Sequence, residues 1–196
     1  MRSLSDEQFR SWGQGLRNSD TRSYSDLFDA TYDSLMRYAV YIVRDNSSAS
    51  DILQDVYLKI WQIREDIDPD RSLKALLYQM VRNYALNHER QKKRRAAEEL
   101  VADHPAVGFD MMTDERLDAD ALEFRLSEWI DQMPERRREA FMLSRYEGLS
   151  HEQIATLMNL APKTVNNHIV LALQHIRRLM LAYERDNSER EDKKRA

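Results

Sequence analysis

The sequence predicts an all-α fold of two small helical domains joined by a flexible acidic linker. Apolar residues recur at spacings of three and four along most of the 196 residues, a pattern that is typical of amphipathic helices. Only four glycines and four prolines occur, so few positions interrupt this periodicity. The pattern is lost in residues 96–125, which hold nine acidic and two basic residues. Two periodic regions separated by an aperiodic one indicate two domains and a linker.

Five segments are expected along the chain. An N-terminal helical extension begins near Ser5, which has capping-box spacing to Gln8. A first domain precedes the linker, which is expected to be partly helical near its end, and a second domain follows it. The last residues are almost entirely polar and are expected to be disordered. The extension, the first domain, the linker, the second domain and the tail are expected at residues 1–23, 24–95, 96–125, 126–182 and 183–196.

Three helices are expected in the first domain. The first carries an apolar stripe from Tyr24 to Val43, and the segment DNSSAS at 45–50 interrupts it with several residues that favour N-caps. The second helix follows directly and ends before the loop DIDPD at 66–70. The third begins near Ser72 and runs into the basic sequence KKRR. Three amphipathic helices of this length are enough for one compact domain.

The second domain contains the pattern of a helix-turn-helix. Ser150 and Gln153 have capping-box spacing at the start of a short helix, and Ala155 is small where two helices would cross closely. Asn159 suits a left-handed turn, and Pro162 suits the first turn of the next helix. The expected buried stripe of that helix is Val165, Ile169, Ala172, Leu173, Ile176 and Leu179.

The second helix of such a motif normally enters the DNA major groove, where amides read base edges and lysine or hydroxyl groups hold phosphate. The candidate DNA-contacting residues at its exposed N-terminal end are Lys163, Thr164, Asn166, Asn167 and His168. The alternative is an ordinary helical hairpin with polar residues facing solvent.

The charge distribution supports a nucleic-acid partner despite a net charge of −4. Residues 74–95 hold seven basic residues and one acidic residue in an otherwise acidic chain, which can act as a local DNA footprint. Cysteine is absent and the histidines lack zinc-ligand spacing, so no metal or cofactor is expected. Without a signal peptide or an apolar run of about 20 residues, a cytoplasmic protein with no membrane insertion is expected.

Two parts of the sequence independently resemble extracytoplasmic-function (ECF) sigma factors of bacterial RNA polymerase. They are SDILQDVYLKIW with SLKALLYQMVRNYALNHERQKKRR, and QMPERRREAFMLSRYEGLSHEQIATLMNLAPKTVNNHI. The resemblance implies that the helix DILQDVYLKIW docks on the clamp helices of the largest polymerase subunit. The implied polymerase-binding residues, which share one helix face, are Asp51, Gln54, Asp55 and Leu58. The alternative is a solvated acidic face.

The resemblance also divides promoter recognition between the two domains. The recognition helix would read the minus-thirty-five element, and the third helix would read the minus-ten element. The loop from Asp66 to Arg71 would capture a base flipped out of the non-template strand. Tyr78 is either a stacking residue for melted DNA or part of the core. The implied minus-ten residues are Ile67, Asp68, Tyr78, Arg82, Asn83, Asn87, Arg90, Lys92, Lys93 and Arg94.

Three classes of function are compared. A sigma factor would bind core polymerase, recognise promoter DNA and help to melt it, and an anti-sigma factor is expected as a further partner. A stand-alone helix-turn-helix regulator would bind duplex DNA without polymerase, but would leave the first domain's resemblance unexplained. An enzyme is disfavoured, because the sequence has no phosphate-binding glycine loop, no HExxH and no nucleophile elbow.

Overall fold

The computed structural model describes residues 4–68, 70–99 and 119–195. Within these residues the secondary structure is helical, with no strand, as predicted. The chain divides into two compact units, Met1–Phe109 and Asp110–Ala196. Most of the expected linker, residues 100–118, lies outside the described residues. Among the helices that are described, none is both long enough and apolar enough to cross a membrane.

In the described residues of the first unit there are four α-helices and one short 3-10 turn, Arg64–Asp66. Helices α2, α3 and α4 pack against one another, and each contributes residues to a common core, including Leu35, Leu53 and Val81. The helices α1, α2, α3 and α4 span Asp6–Arg17, Thr21–Val43, Asn46–Gln62 and Leu73–Glu99.

The N-terminal segment differs from the expected extension, because α1 is part of the core of this unit. Its residues Phe9, Trp12 and Leu16 are buried, and the helix packs against α2, the 3-10 turn and α4. Ser5 caps it as expected, since its Oγ accepts a hydrogen bond from the backbone N–H of Gln8 at 3.2 Å. Burial of the Phe9 and Trp12 rings stabilises the packing of α1 against the rest of the unit.

The connection between α2 and α3 is shorter than the sequence suggests. Arg44 adopts a left-handed conformation (φ 55°) that ends α2. Asp45 then caps α3 by accepting hydrogen bonds from the backbone N–H of Ser48 at 2.8 Å and from its hydroxyl at 2.6 Å. These bonds lower the pKa of the Asp45 carboxyl below its usual value. Most of DNSSAS is therefore the first turn of α3 and not a loop.

One hydrogen-bonded pair lies in the core between α2 and α3. Thr31 Oγ1 donates to the carbonyl of Leu27 at 2.6 Å, so the Tyr57 hydroxyl, 2.8 Å away, acts as the donor to Thr31 Oγ1. Burial is the main reason why the pKa of Tyr57 rises from 10.0 to about 12. The unfolded chain therefore releases this proton at lower pH than the folded chain.

Replacing Tyr57 by Phe should make stability less sensitive to alkaline pH. Because the folded pKa is raised, the wild-type protein loses stability as pH rises from 10 towards 12. Between pH 8 and pH 11 the wild type should lose about 1.4 kcal/mol more than Tyr57→Phe, which corresponds to one pKa unit. Urea unfolding at both pH values measures this difference. Equal losses in the two proteins would show that Tyr57 does not titrate as described.

Four helices form the described part of the second unit. Its core includes Ile130, Met133 and Phe141, which pack against Ala172. In addition, Trp129 lies edge-on to Tyr183 with ring centroids 6.1 Å apart. The helices α5, α6, α7 and α8 span Ala119–Asp131, Glu135–Arg145, His151–Met158 and Pro162–Arg195.

Helix α5 begins at Ala119, so the end of the expected linker is helical, as predicted. Two other features of the second unit correct the sequence prediction. Helix α8 continues to Arg195, so the segment expected to be a disordered tail is helical. No glycine or proline follows Pro162, and nothing in the sequence therefore terminates this helix. Leu173, expected in the buried stripe, is exposed, because the face that meets α6 and α7 is narrower than the apolar pattern.

Candidate nucleic-acid interface

The helix-turn-helix is confirmed in its local geometry. Gln153 N–H donates to Ser150 Oγ at 3.2 Å, and Ser150 N–H donates to Gln153 Oε1 at 2.9 Å, which completes a capping box at the start of α7. Asn159 ends α7 in the left-handed conformation (φ 54°, ψ 54°), a role more often filled by glycine. Helix α8 then begins at Pro162. Asparagine therefore provides the turn without glycine.

The start of α8 presents its polar residues away from the domain core. Val165, Ile169 and Ala172 are buried against the rest of the unit. The remaining positions of the first two turns form the candidate reading surface. Three of the predicted residues are exposed: Lys163, Asn166 and Asn167. The other two, Thr164 and His168, are half-buried.

Helix α6 adds positive charge next to this surface. Partial burial lowers the pKa of His168, and the nearby guanidinium groups of Arg137 and Arg136 lower it further. His168 is therefore uncharged at neutral pH, and the positive charge beside the recognition helix comes from α6. These arginines were missed by the sequence interpretation, although the run ERRRE at 135–139 is a visible basic cluster.

The predicted polymerase-binding residues lie together on the exposed side of α3. All four of Asp51, Gln54, Asp55 and Leu58 are exposed, while the opposite side of the helix is buried. Leu58 is 56% exposed although it is a large aliphatic residue. Leu58 therefore adds one apolar side chain to a face that otherwise carries carboxylates and an amide.

Most of the predicted minus-ten residues on α4 are exposed or half-buried. Asn83 is exposed, Arg82 is half-buried, and Arg90 Nη1 donates to Asn87 Oδ1 at 3.1 Å. The other exposed residues form the basic end of the helix, namely Lys92, Lys93 and Arg94. Helix α4 therefore exposes amides in its middle turns and positive charge further towards its C-terminal end.

Two predicted minus-ten residues belong to the core and not to the surface. Tyr78 is 2% exposed and packs against Tyr38 with ring centroids 5.3 Å apart, so it is not available for stacking on DNA. Helix α4 contacts both α2 and α3 and therefore needs a wide apolar face, which includes Tyr78. Ile67 is 4% exposed and anchors the loop before α4. Asp68, the other loop residue, is exposed.

Comparisons with known proteins agree with this two-part geometry. A family model of "Sigma-70 region 2" matches residues 27–95, and one of "Sigma-70, region 4" matches residues 123–176. The chain belongs to the sigma-70 family of RNA polymerase sigma factors. The first matched region contains the exposed polar faces of α3 and α4, and the second contains the start of α8. The order of the regions also agrees with the order of the two units.

Relatives of this sigma factor include members of the ECF group. The RNA polymerase sigma-H factor of Pseudomonas aeruginosa is 28% identical over 88% of this chain and 94% of its own length. The ECF RNA polymerase sigma factor SigL of Mycobacterium tuberculosis is 28% identical over 77% of this chain and 85% of its own length. The family is therefore the ECF type that the sequence resembles.

Two solved structures share the fold of this sigma factor. CnrH, determined in complex with the cytosolic domain of CnrY, has a TM-score of 0.60 at 20% identity and covers 89% of this chain and 98% of its own. The sigma factor RpoE of Bartonella quintana, determined with the anti-sigma factor NepR, has a TM-score of 0.65 at 19% identity and covers 81% and 97%. At these identities the comparison shows the fold alone.

Proposed function

We propose that this sigma factor brings core RNA polymerase to promoters through three separate surfaces. They are the acidic face of α3 for polymerase, the polar face of α4 with its preceding loop for the minus-ten element, and the start of α8 for the minus-thirty-five element. One observation carries the proposal: each unit of the chain exposes one helix suited to reading DNA, and the first also exposes the α3 face. A stand-alone regulator would need only the second unit.

The α3 face is suited to a basic partner. Asp51 and Asp55 lie one turn apart, Gln54 lies beside them, and all three side chains are exposed. Acidic groups on a docking surface steer a positively charged partner and select against acidic ones. Leu58 adds apolar contact area at the end of the same face. The clamp helices of the largest polymerase subunit are the proposed partner.

The α4 surface is suited to single-stranded promoter DNA. Asn83 and Asn87 lie one turn apart on its exposed side. Because Arg90 donates to Asn87 Oδ1, the Asn87 amide keeps its N–H donors for a base edge. Lys92 and Lys93 extend the surface with charges suited to phosphate. The exposed loop residue Asp68 lies at the proposed site of base capture.

The start of α8 is suited to duplex DNA. Asn166 and Asn167 are exposed in the first two turns of the helix, where side chains of a recognition helix reach base edges in the major groove. Uncharged His168 can accept or donate a hydrogen bond to a base. Arg136 and Arg137 of α6 add positive charge beside it for the neighbouring phosphates.

Run-off transcription tests the whole proposal. Core polymerase lacking any sigma factor is mixed with this protein and with genomic promoter fragments. We expect transcripts that start at defined sites and that require both components, because the sigma factor itself catalyses no reaction. Specific DNA binding without any stimulated transcription would instead favour the stand-alone regulator.

Asn167→Ala should change promoter preference at the minus-thirty-five element. Losing a bidentate amide contact to a base costs roughly 1–3 kcal/mol of binding free energy. Only promoters that carry the preferred base should lose this binding free energy. Competition between promoters that differ at single upstream positions measures the change. Gln174→Ala is the control, since Gln174 is exposed on the same side of α8 but two turns further on. A uniform loss of affinity for all promoters would contradict a base-reading role.

Regulation and location follow from the proposed activity. The two structural neighbours were determined in complex with the cytosolic domain of CnrY and with the anti-sigma factor NepR. We propose that an anti-sigma factor likewise regulates this chain. Because its proposed partners are polymerase and chromosomal promoters, we place its activity in the cytoplasm.

A further inference from the structure

The loop between α3 and α4 contacts α1 or the turn that follows α1 near both of its ends. Where the loop begins, Arg64 Nε donates to Ser19 Oγ at 2.8 Å, across 45 residues of sequence. Where it ends, Leu73 is buried, and its Cδ2 lies 3.8 Å from the position that a Cβ would occupy on Gly13 of α1. Ile67 is buried between these points. The loop therefore rests on α1 and on the turn that follows it.

Arg64 holds one conformation because its guanidinium group is engaged in several directions. Besides the bond to Ser19, its Nη1 donates to the carbonyl of Trp61 at 2.9 Å and its Nη2 lies 3.3 Å from Glu65 Oε1. The guanidinium carbon also lies 4.8 Å from the centroid of the Trp61 ring. A planar donor group with several fixed partners is more strongly oriented than a single flexible contact would be.

Ser19 is itself held firmly in the turn between α1 and α2. It adopts a left-handed conformation (φ 58°), which is uncommon for residues other than glycine. Its N–H donates to the carbonyl of Leu16 at 2.8 Å, and the next residue, Asp20, caps α2 through the N–H groups of Arg22 and Ser23. The hydroxyl that meets Arg64 is therefore attached to a rigid part of the backbone.

The exposed part of the loop is a small turn with its own bonds. The Asp68 carboxylate accepts a hydrogen bond from the Asp70 N–H at 3.0 Å and lies 3.4 Å from Arg71 Nε. These bonds hold the turn together, but they do not orient it relative to α4. Its orientation depends on how the residues at its base, Arg64 and Ile67, are fixed.

We propose that Arg64 and Ser19 form a latch that positions this loop for base capture, so that α1 helps to set base preference at the minus-ten element. The inference rests on the proposed function, in which the exposed turn receives the flipped base. Arg64 and Ser19 are positioning residues: they act through the loop and do not contact DNA. Neither residue was a candidate in the sequence, because the contact joins distant segments.

The test uses the full-length protein with core polymerase. Open-complex formation is measured on promoters that carry each of the four bases at every minus-ten position. The variants are Arg64→Met, Ser19→Gly, their combination, Arg64→Lys and Asp68→Ala. Glycine keeps the left-handed backbone without strain and removes the hydroxymethyl side chain that carries the hydroxyl. Asp68→Ala is the reference for loss of base reading by the loop itself.

Arg64→Met and Ser19→Gly should each reduce discrimination between the best and the worst base by roughly fivefold, as expected for loss of one charge-assisted hydrogen bond. The double variant should resemble the single ones, because all three lack the same bond. Arg64→Lys, which keeps the charge and a donor, should recover part of the discrimination. Thermal unfolding midpoints should stay within a few degrees of the wild type.

Three results would overturn the latch. Normal discrimination in Arg64→Met, with reduced discrimination in Asp68→Ala, would leave the loop's reading role intact and remove the latch. Normal discrimination in both would overturn the reading role as well. In the third result, the losses of discrimination in the two single variants add up fully in the double variant, and they follow the fall in the unfolding midpoint. That result would show that Arg64 and Ser19 have a structural role alone.

Discussion

Gln54→Ala combined with Asp55→Lys should release this sigma factor from core polymerase. The double change removes an amide and reverses a charge on the exposed face of α3. Reversing one member of a charge pair at an interface replaces attraction by repulsion, with a cost of about 2–5 kcal/mol. Core affinity should therefore fall at least about thirtyfold. Fluorescence anisotropy of the labelled protein titrated with core enzyme measures this affinity.

Asp33→Lys is the matched control for polymerase docking. Asp33 is exposed on α2, so the substitution makes the same charge change in the same unit but on a different helix. The control should bind core polymerase as tightly as the wild type. Both variants should keep the wild-type circular dichroism melt, because their side chains point to solvent. If the folded α3 variant binds core enzyme normally, the docking surface lies elsewhere.

Asn83→Ala and Asn87→Ala should reduce strand opening rather than promoter binding. Flipping and unstacking a base costs a few kcal/mol, which contacts to the melted strand offset. Losing one such contact should slow open-complex formation roughly tenfold. On a template with a preformed bubble the defect should be largely repaired, since the opening cost is already removed. Permanganate reactivity of melted thymines on duplex and bubble templates measures both effects.

Lys92→Ala and Asn167→Ala are the variants with which Asn83→Ala and Asn87→Ala are compared. A phosphate contact carries no sequence information, so Lys92→Ala should weaken binding to all promoters alike and reduce the salt slope by about one unit. Asn167→Ala should not be rescued by the bubble, because it acts on duplex DNA. Rescue of Asn167→Ala but not of Asn83→Ala would show that the roles of the two units are exchanged.

Local signals in the sequence predicted the helix-turn-helix of the second unit well. The capping box at Ser150 and Gln153, the left-handed Asn159 and the entry at Pro162 each depend on residues within a few positions of one another. Backbone geometry of this kind is set by the residue itself and its nearest neighbours. The exposed face of α3 was predictable for the same reason, since helical periodicity alone separates it from the core.

Contacts between distant segments were harder to predict. Tyr78 is amphipathic, and periodicity alone leaves such a side chain either on the surface or in the core; its contact with Tyr38 of α2 decides the question. The packing of α1 depends on surfaces provided by three later elements. The arginines of α6 come next to His168 only when the domain folds. Each of these features is set by tertiary contacts, which a one-dimensional pattern does not specify.

The length of α8 has a practical consequence for work with this protein. From Asn167 to Arg195 the helix rises by about 42 Å at 1.5 Å per residue. A fluorophore or affinity tag attached after Arg195 would therefore be carried well away from the recognition residues along a helical spacer. A tag placed before Met1 would be only four residues from Ser5, the cap of a helix that packs against the proposed minus-ten loop. Labels for single-molecule promoter-binding measurements therefore belong at the C-terminal end.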